Sequence, residues 1–530
     1  MLASVLSATL HGLEGRVIRV EVDVAPGLPG FSIVGLADTA LQEARERVRG
    51  AIRNSGFAYP PRRITVNLAP ADLRKAGASL DLGIAAAILL GSEQVRATGR
   101  WALVGELSLG GEVRPVPGLL PMVAALCRRG VRRVVVPVEA QTEARLVAGL
   151  EIVGVASLGE AMLSIRTAHS SRRLPPAAAR VELAAPSETW GGASPEERGA
   201  TAAPHAASPV LAPDLSDVRG QLEARRALEV ALAGGHALLM VGPPGAGKTL
   251  LARTIPGLLP PLGDAEALAA TVVHSVAAER PIQGLVRRPP FRAPHHTISY
   301  AGMVGGGPRL SPGEVSLADH GVLFLDELPE FGRDVLEALR QPLEEGTVTI
   351  VRAGRAETFP ARFQLVAAMN ACPCGRAGQD GETCRCPNAV AARYTDRVSG
   401  PLRDRIDLWV AMTRVAPAAV VAIETPESSA AVAERVAAAR RRQLARSGTL
   451  NATLAGRALR LACRLDRQAV ARAVELAELE GLSARGTERL LRVARTVADL
   501  AGAGPVGCRA LEEAARYRSP SRVLDRRIAV

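Results

Sequence analysis

With 530 residues, 48% hydrophobic and 22% charged, the chain has the composition of a globular protein of about three or four domains. Its longest apolar run, Leu82 to Leu90, is far short of the ~20 residues that cross a bilayer, so a membrane partner is not expected. A net charge of +12 points to polyanions, nucleic acid first, with a solvated arginine-rich face as the plainer alternative; at 3% aromatics, base stacking is excluded as the main mode of contact. The opening residues lack the basic and apolar segments of a secretory signal, and a cytoplasmic location is expected.

Residues 1–167 alternate strand and helix patterns. Val17–Val22 and Ile64–Leu68 read as strands, Ala40–Val48 as a charged amphipathic helix and Asp81–Leu90 as an apolar one. Residues 168–213 are rich in Ala, Pro, Ser and Glu without a sustained period, as in a flexible linker. A second α/β region follows over 214–415. Residues 416–530 are rich in Ala, Arg, Leu and Glu; Ala430–Arg446 and Asp466–Leu479 predict helices, and the arginine-rich end from Arg516 a flexible tail.

The second α/β region carries the strongest signal. Gly242, Pro243, Pro244, Gly245, Ala246, Gly247, Lys248 and Thr249 fit G-x-x-x-x-G-K-[ST], after the apolar run His236–Val241 and before the helix-compatible Leu250–Arg253. In that context the glycines let backbone N–H groups converge on phosphate oxygens, and the helix N-terminus adds positive potential. Only two of the 65 basic residues are lysines, Lys75 and Lys248, and a compact ammonium suits the β/γ-phosphates better than a guanidinium. The expected ligand is a nucleoside triphosphate.

About eighty residues on, Gly321–Leu325 ends in Asp326 and Glu327. Asp326 is placed to hold Mg²⁺ together with the Thr249 hydroxyl, and Glu327 to act as general base toward water. A further apolar run, Phe363–Met369, ends in Asn370, either a γ-phosphate ligand or a strand-end turn residue. Cys372, Cys374, Cys384 and Cys386 follow as C-x-C, nine residues, C-x-C. Four thiolates fit a closed structural Zn²⁺ site; reduced cysteines or a redox-sensitive pair are the alternatives.

Loop, acid pair and strand-end asparagine in this order resemble an AAA+ ATPase. Phe291–Thr297, Gly305–Gly307, Gly313–Ala318, Leu339–Glu344 and Ser399–Asp407 narrow the resemblance to the magnesium-chelatase-like branch and its YifB/ComM family. The resemblance implies that Asp217–Gln221 lies near the adenine, that Asn370 is the sensor-1 residue, and that Arg405 is an arginine finger reaching a neighbour's γ-phosphate. Arg485 matches the sensor-2 arginine of a helical lid. Read from the residues alone, both arginines are surface ion-pair formers. Val348–Arg352 resembles a hairpin that enters the pore of a ring, making Arg352 and Arg355 candidate DNA contacts; an ordinary solvated hairpin is the alternative. His295 and His296 fall in the region of a helix-2 insert, and adjacent residues in regular structure point to opposite sides, so metal ligation by this pair is not expected.

Lys75–Asp81 and Leu107–Leu119 are similar to the proteolytic domain of Lon, with Ser79 at the nucleophile position. Leu120 stands where the activating lysine would be, and Lys75 sits at the wrong point of the motif, so protease activity is not expected. The implied fold is multidomain α/β: a Lon-protease-like domain (of the ribosomal S5 domain 2 type), an AAA+ P-loop domain and a helical C-terminal lid. The implied function is a homohexameric, ATP-driven motor for branch migration of DNA in homologous recombination or transformation. The alternative is an ATP-driven remodeller of a protein partner.

Overall fold

The computed structural model describes residues 1–35, 43–71, 75, 77–166, 213–308, 310–352, 355–376, 384–415 and 426–518. The sequence's linker, 168–213, therefore lies outside the described residues apart from its last one. The chain divides into two compact units, Met1–Ala200 with Asp264–Val286, and Thr201–Gly263 with Arg287–Val530.

The first unit is built on a seven-stranded mixed sheet in the order Gly30–Val34, Arg63–Ala69, Glu14–Ala25, Leu2–His11, Ala102–Leu103, Arg133–Pro137 and Glu151–Val155. Leu2–His11 and Arg63–Ala69 both pair antiparallel with Glu14–Ala25; the other pairs are parallel. Along Glu14–Ala25 alternate residues face opposite sides of the sheet: Ile18, Val20, Val22 and Val24 lie in one core, and Val17 packs against another. The apolar helix, Asp81–Gly91, is buried at every position but Leu90, which explains why its sequence has no polar stripe. The charged pattern lies partly in the helix Ala44–Asn54; its residues 40–42 lie outside the described residues. Residues 264–286, which the sequence pattern runs into the second α/β region, pack in this unit. Leu268 and Val272 of the helix Asp264–Ala277 lie against the core around Leu119, Leu120 and Val123, and Ser275 donates to the buried Glu143 carboxylate at 2.5 Å. Burial pushes the Glu143 pKa up.

The second unit holds a five-stranded parallel sheet. Its order is Phe291–Arg292, Val322–Leu325, Gln364–Met369, Leu238–Val241 and Leu408–Ala411. Short, wholly buried apolar strands are what a parallel sheet covered on both faces requires. The C-terminal helices Ser429–Ser447, Gly456–Cys463, Arg467–Leu479, Ala484–Leu500 and Cys508–Arg516 close over it, and Val436, Leu490 and Leu511 share one core with Met240 and Val322. A buried polar network fixes the register of Ala484–Leu500. His236, just before the Leu238–Val241 strand, is 2.7 Å from the Thr496 hydroxyl, and Arg495, Arg446 and Asn451 all donate to Asp499. The expected flexible tail is a packed segment at its start. Arg518 is buried and donates to the Ile406 and Asp407 carbonyls at 3.0 and 3.1 Å, because that guanidinium satisfies backbone acceptors which the strand Leu408–Ala411 leaves open. Residues 519–530 lie outside the described residues.

Candidate active site

Three strands of the second unit end on one side of the sheet, and each delivers a predicted residue there. Leu238–Val241 leads into the glycine loop, Val322–Leu325 into Asp326 and Glu327, and Gln364–Met369 into Asn370. Gly242 is required by a close approach: a Cβ there would lie 2.3 Å from the Met412 carbonyl, just past the neighbouring strand. Gly245 and Gly247 take φ of +77° and +89°, and a Cβ at either would meet nothing within 4 Å, as in a loop wrapped round open space for a ligand.

Lys248 is buried at the start of the helix Lys248–Arg253. Its ammonium donates to the Gly242 and Pro243 carbonyls at 2.7 and 2.9 Å and to Asn370 Oδ1 at 3.0 Å. Burial lowers its pKa to about 8, against the opposing pull of Asp326 and Glu327. The Thr249 hydroxyl donates to Asp326 Oδ2 at 2.6 Å, so the two expected magnesium ligands are neighbours, a hard oxygen pair suited to that ion.

Glu327 is exposed and takes a left-handed backbone, φ +54°, a strained conformation for a residue with a side chain. The His296 imidazole Nδ1 lies 3.3 Å from Glu327 Oε2. The two histidines do not point to opposite sides as expected. Their rings lie side by side with centroids 4.1 Å apart, because they sit in irregular backbone where strand and helix alternation does not apply. His295 bonds to Thr297, and His296 turns to the acid. The segment is held by Arg292, whose guanidinium makes two 2.6 Å bonds to Glu314. Gln221 of the segment expected near the adenine donates its amide to Ala246 O of the loop at 3.0 Å and to Thr413 O.

The four clustered cysteines follow closely on Asn370. Their sulfurs all lie within 4.8 Å of one another, with closest separations of 3.4, 3.6 and 3.7 Å. A tetrahedron with metal–sulfur bonds of ~2.3 Å has edges of about 3.8 Å, so the donor set fits Zn²⁺. The turn that follows the first two thiols touches the phosphate loop: a Cβ at Gly375, φ +73°, would stand 2.6 Å from Pro244 Cδ.

Arg405 and Arg485 are not brought to this loop. They line a cavity of about 380 Å³ bordered by Ala237, Gln364 and Asp407, which lie at the starts of the strands. Ala237 and Gly242 bracket one four-residue strand and are roughly 16 Å apart at ~3.3 Å per residue. Arg405 bonds to Glu344 and to the Pro401 carbonyl; burial, with Arg340, Arg485 and Arg489 nearby, lowers its pKa. Arg352 and Arg355 sit opposite each other at the end of the antiparallel hairpin Thr347–Arg352/Arg355–Pro360, with Arg352 exposed.

In the first unit Ser79 is buried and donates to the Ala8 carbonyl at 3.0 Å. Leu120 is a core residue, and the Lys75 ammonium, also buried, bonds the Pro70 carbonyl.

The sheet order, the glycine loop at one strand end and the acid pair at the next define a P-loop ATPase of the AAA+ type. Residues 214–420 match the family described as "Magnesium chelatase, subunit ChlI", 20–140 "Subunit ChlI of Mg-chelatase" and 426–518 "Magnesium chelatase, subunit ChlI C-terminal". The chain is 42% identical over 517 residues to "Uncharacterized protein YifB" of Escherichia coli, covering 97% of this chain and 96% of that protein. It is 40% identical over 530 residues to "Competence protein ComM" of Haemophilus influenzae, covering 99% of each. Lon protease 2 of Bacillus subtilis is 28% identical over 166 residues, 28% of this chain and 30% of that protein. The chain belongs to the YifB/ComM family of magnesium-chelatase-type ATPases, with a Lon-like N-terminal region. No helix among the described residues is long and apolar enough to cross a membrane.

Proposed function

We propose that this ATPase works as a cytoplasmic homohexameric ring that moves branched DNA during homologous recombination, including uptake of transforming DNA. The observation that carries the reading is the separation within one chain of the phosphate loop from Arg405 and Arg485, at opposite ends of the sheet strands. Residues so placed serve a nucleotide only when a neighbouring subunit presents it. Lys248 and the loop N–H groups bind the phosphates, Asn370 and Glu327 orient water, and Glu327 takes its proton. Mg²⁺, held by Thr249 and Asp326, would neutralise charge on the phosphates. The DNA assignment draws on the relative's name as a competence protein, on the net charge of +12 and on the exposed Arg352.

A second reading, ATP-driven remodelling of a protein partner, is favoured by the three magnesium-chelatase matches. The deciding measurement is ATP turnover with and without four-way-junction DNA. Stimulation by DNA is expected, with loss of the increment in an Arg352→Glu/Arg355→Glu double variant. The slope of log affinity against log salt should also fall by about one for each phosphate that the variant no longer neutralises. Turnover indifferent to every branched and single-stranded DNA tried would move the assignment to a protein client.

The four-cysteine centre is proposed as a structural zinc site that braces the phosphate loop through Gly375 and Pro244. Elemental analysis should return one zinc per chain, a stoichiometry following from the four thiolates. Chelation is expected to weaken ATP binding by about tenfold, roughly 1.4 kcal/mol. A metal-free chain that binds ATP with full affinity would sink the brace.

A further inference from the structure

Ala484–Leu500 carries more positive charge into the arginine cavity than the family resemblance accounts for. Arg485, Arg489 and Arg492 are spaced at i, i+4 and i+7, so they share one face of the helix, and all three line the cavity with Arg405. Their environments differ. Arg492 lies 3.5 Å from Glu488, and Arg405 is tied to Glu344. Arg489 is 8% exposed and makes no hydrogen bond or ion pair among the described residues. Arg485, which is exposed, has none either among those residues.

The cavity's carboxylates do not make up the difference. Glu488 serves Arg492 and the Gly456 N–H, Glu344 serves Arg405, and Asp407 faces His236 and the Ala237 N–H. Asp404 is on the surface, and with Asp407 it acts on Arg489 only at longer range. A buried guanidinium without a bonded counter-charge is unfavourable unless a ligand supplies one. Five donors in a fixed planar fork suit the oxygens of a phosphate.

We propose that Arg489 is a third phosphate-binding arginine, acting with Arg405 and Arg485 on the terminal phosphates of ATP held by the neighbouring subunit. The inference rests on the trans-acting ATPase reading and adds to it a residue that neither matched motif predicts. Its own chain's nucleotide is out of reach for the reason given above: the cavity opens at the strand starts and the glycine loop at the strand ends. Burial also lowers the pKa of Arg489, as for a cation in a desolvated site lacking its anion.

The test uses full-length chains carrying Arg489→Gln, Arg489→Lys or Arg405→Ala, each measured for ATP turnover and for binding of a fluorescent ATP analogue. Arg489→Gln is expected to lower kcat at least tenfold, with analogue affinity changed less than threefold in dilute subunits. Arg489→Lys, which keeps charge but not the fork, should fall between. Mixing Arg489→Gln with Lys248→Ala subunits should recover turnover, because some interfaces then pair an intact loop with an intact arginine face; a misfolded subunit could not do this. Turnover of Arg489→Gln within twofold of wild type, while Arg405→Ala is inactive, overturns the role of Arg489 alone. Wild-type turnover in both variants overturns the trans-acting reading itself. An Arg489→Gln defect that the mixture does not relieve also overturns the proposal, because it shows damage within the chain.

Discussion

Glu327→Gln is expected to lower ATP turnover by about 10²–10⁴ while leaving ATP affinity within a few fold, the range lost when a positioned general base is removed. The substitution keeps the size and shape of the side chain and deletes its capacity to take a proton. No phosphate-binding group is bonded to it: Lys248 bonds Gly242, Pro243 and Asn370, and Thr249 bonds Asp326. The left-handed backbone at Glu327 and the His296 ring 3.3 Å from its carboxylate are local restraints on where that carboxylate points. A glutamine can still accept a hydrogen bond from His296, so position survives and basicity does not. The check is single-turnover hydrolysis beside equilibrium binding of ATP. A parallel loss of both would mean that Glu327 supports the fold of the loop, and an unchanged rate would move the base elsewhere.

The parts of this site that lie within one stretch of chain are legible in the sequence. The glycine loop is contiguous, and an acid pair or an asparagine at the end of an apolar run announces a strand end by its position alone. Contacts between distant segments are not legible in the same way. His296 reaches Glu327 from a separate segment through irregular backbone, where no periodicity predicts direction, and so the rule of opposite faces fails for His295 and His296. Gln221 meets Ala246 because a left-handed residue ends the preceding turn, which a sequence pattern does not encode. The same limit applies to the fold. The amphipathic stretch Asp264–Ala277 has the spacing of a helix, but spacing does not say which core its apolar face will join, and Leu268 and Val272 join that of the first unit. Arg405 and Arg485 are visible only through likeness to a family, since an isolated arginine carries no local signature of what it will touch. Arg489 has no such motif; its burial without a bonded partner among the described residues is a property of the packed helix.

Arg405→Ala is expected to be the most damaging single change, lowering turnover by about 10³–10⁵ as for arginine fingers that stabilise charge on a transferring phosphoryl group. The reasoning is geometric first. Arg405 follows the short helix Gly400–Arg403 and sits beside Asp407, at the start of the strand Leu408–Ala411, while the loop that holds phosphate follows the other end of the adjacent strand. On the proposed reading a residue so placed acts on a neighbour's nucleotide, so its contribution would depend on assembly. Wild-type turnover per chain should therefore rise with protein concentration and level off when rings are complete, whereas Arg405→Ala should stay flat at the low value throughout. Its bonds to Glu344 and the Pro401 carbonyl hold the side chain at the cavity before any neighbour arrives, which spares part of the entropy of ordering it at the interface. Glu344→Gln should in consequence give a smaller defect than Arg405→Ala, because it loosens the guanidinium without removing it. Wild-type turnover that is independent of concentration down to fully dissociated chains would refute the assignment of Arg405 to a neighbour's ATP.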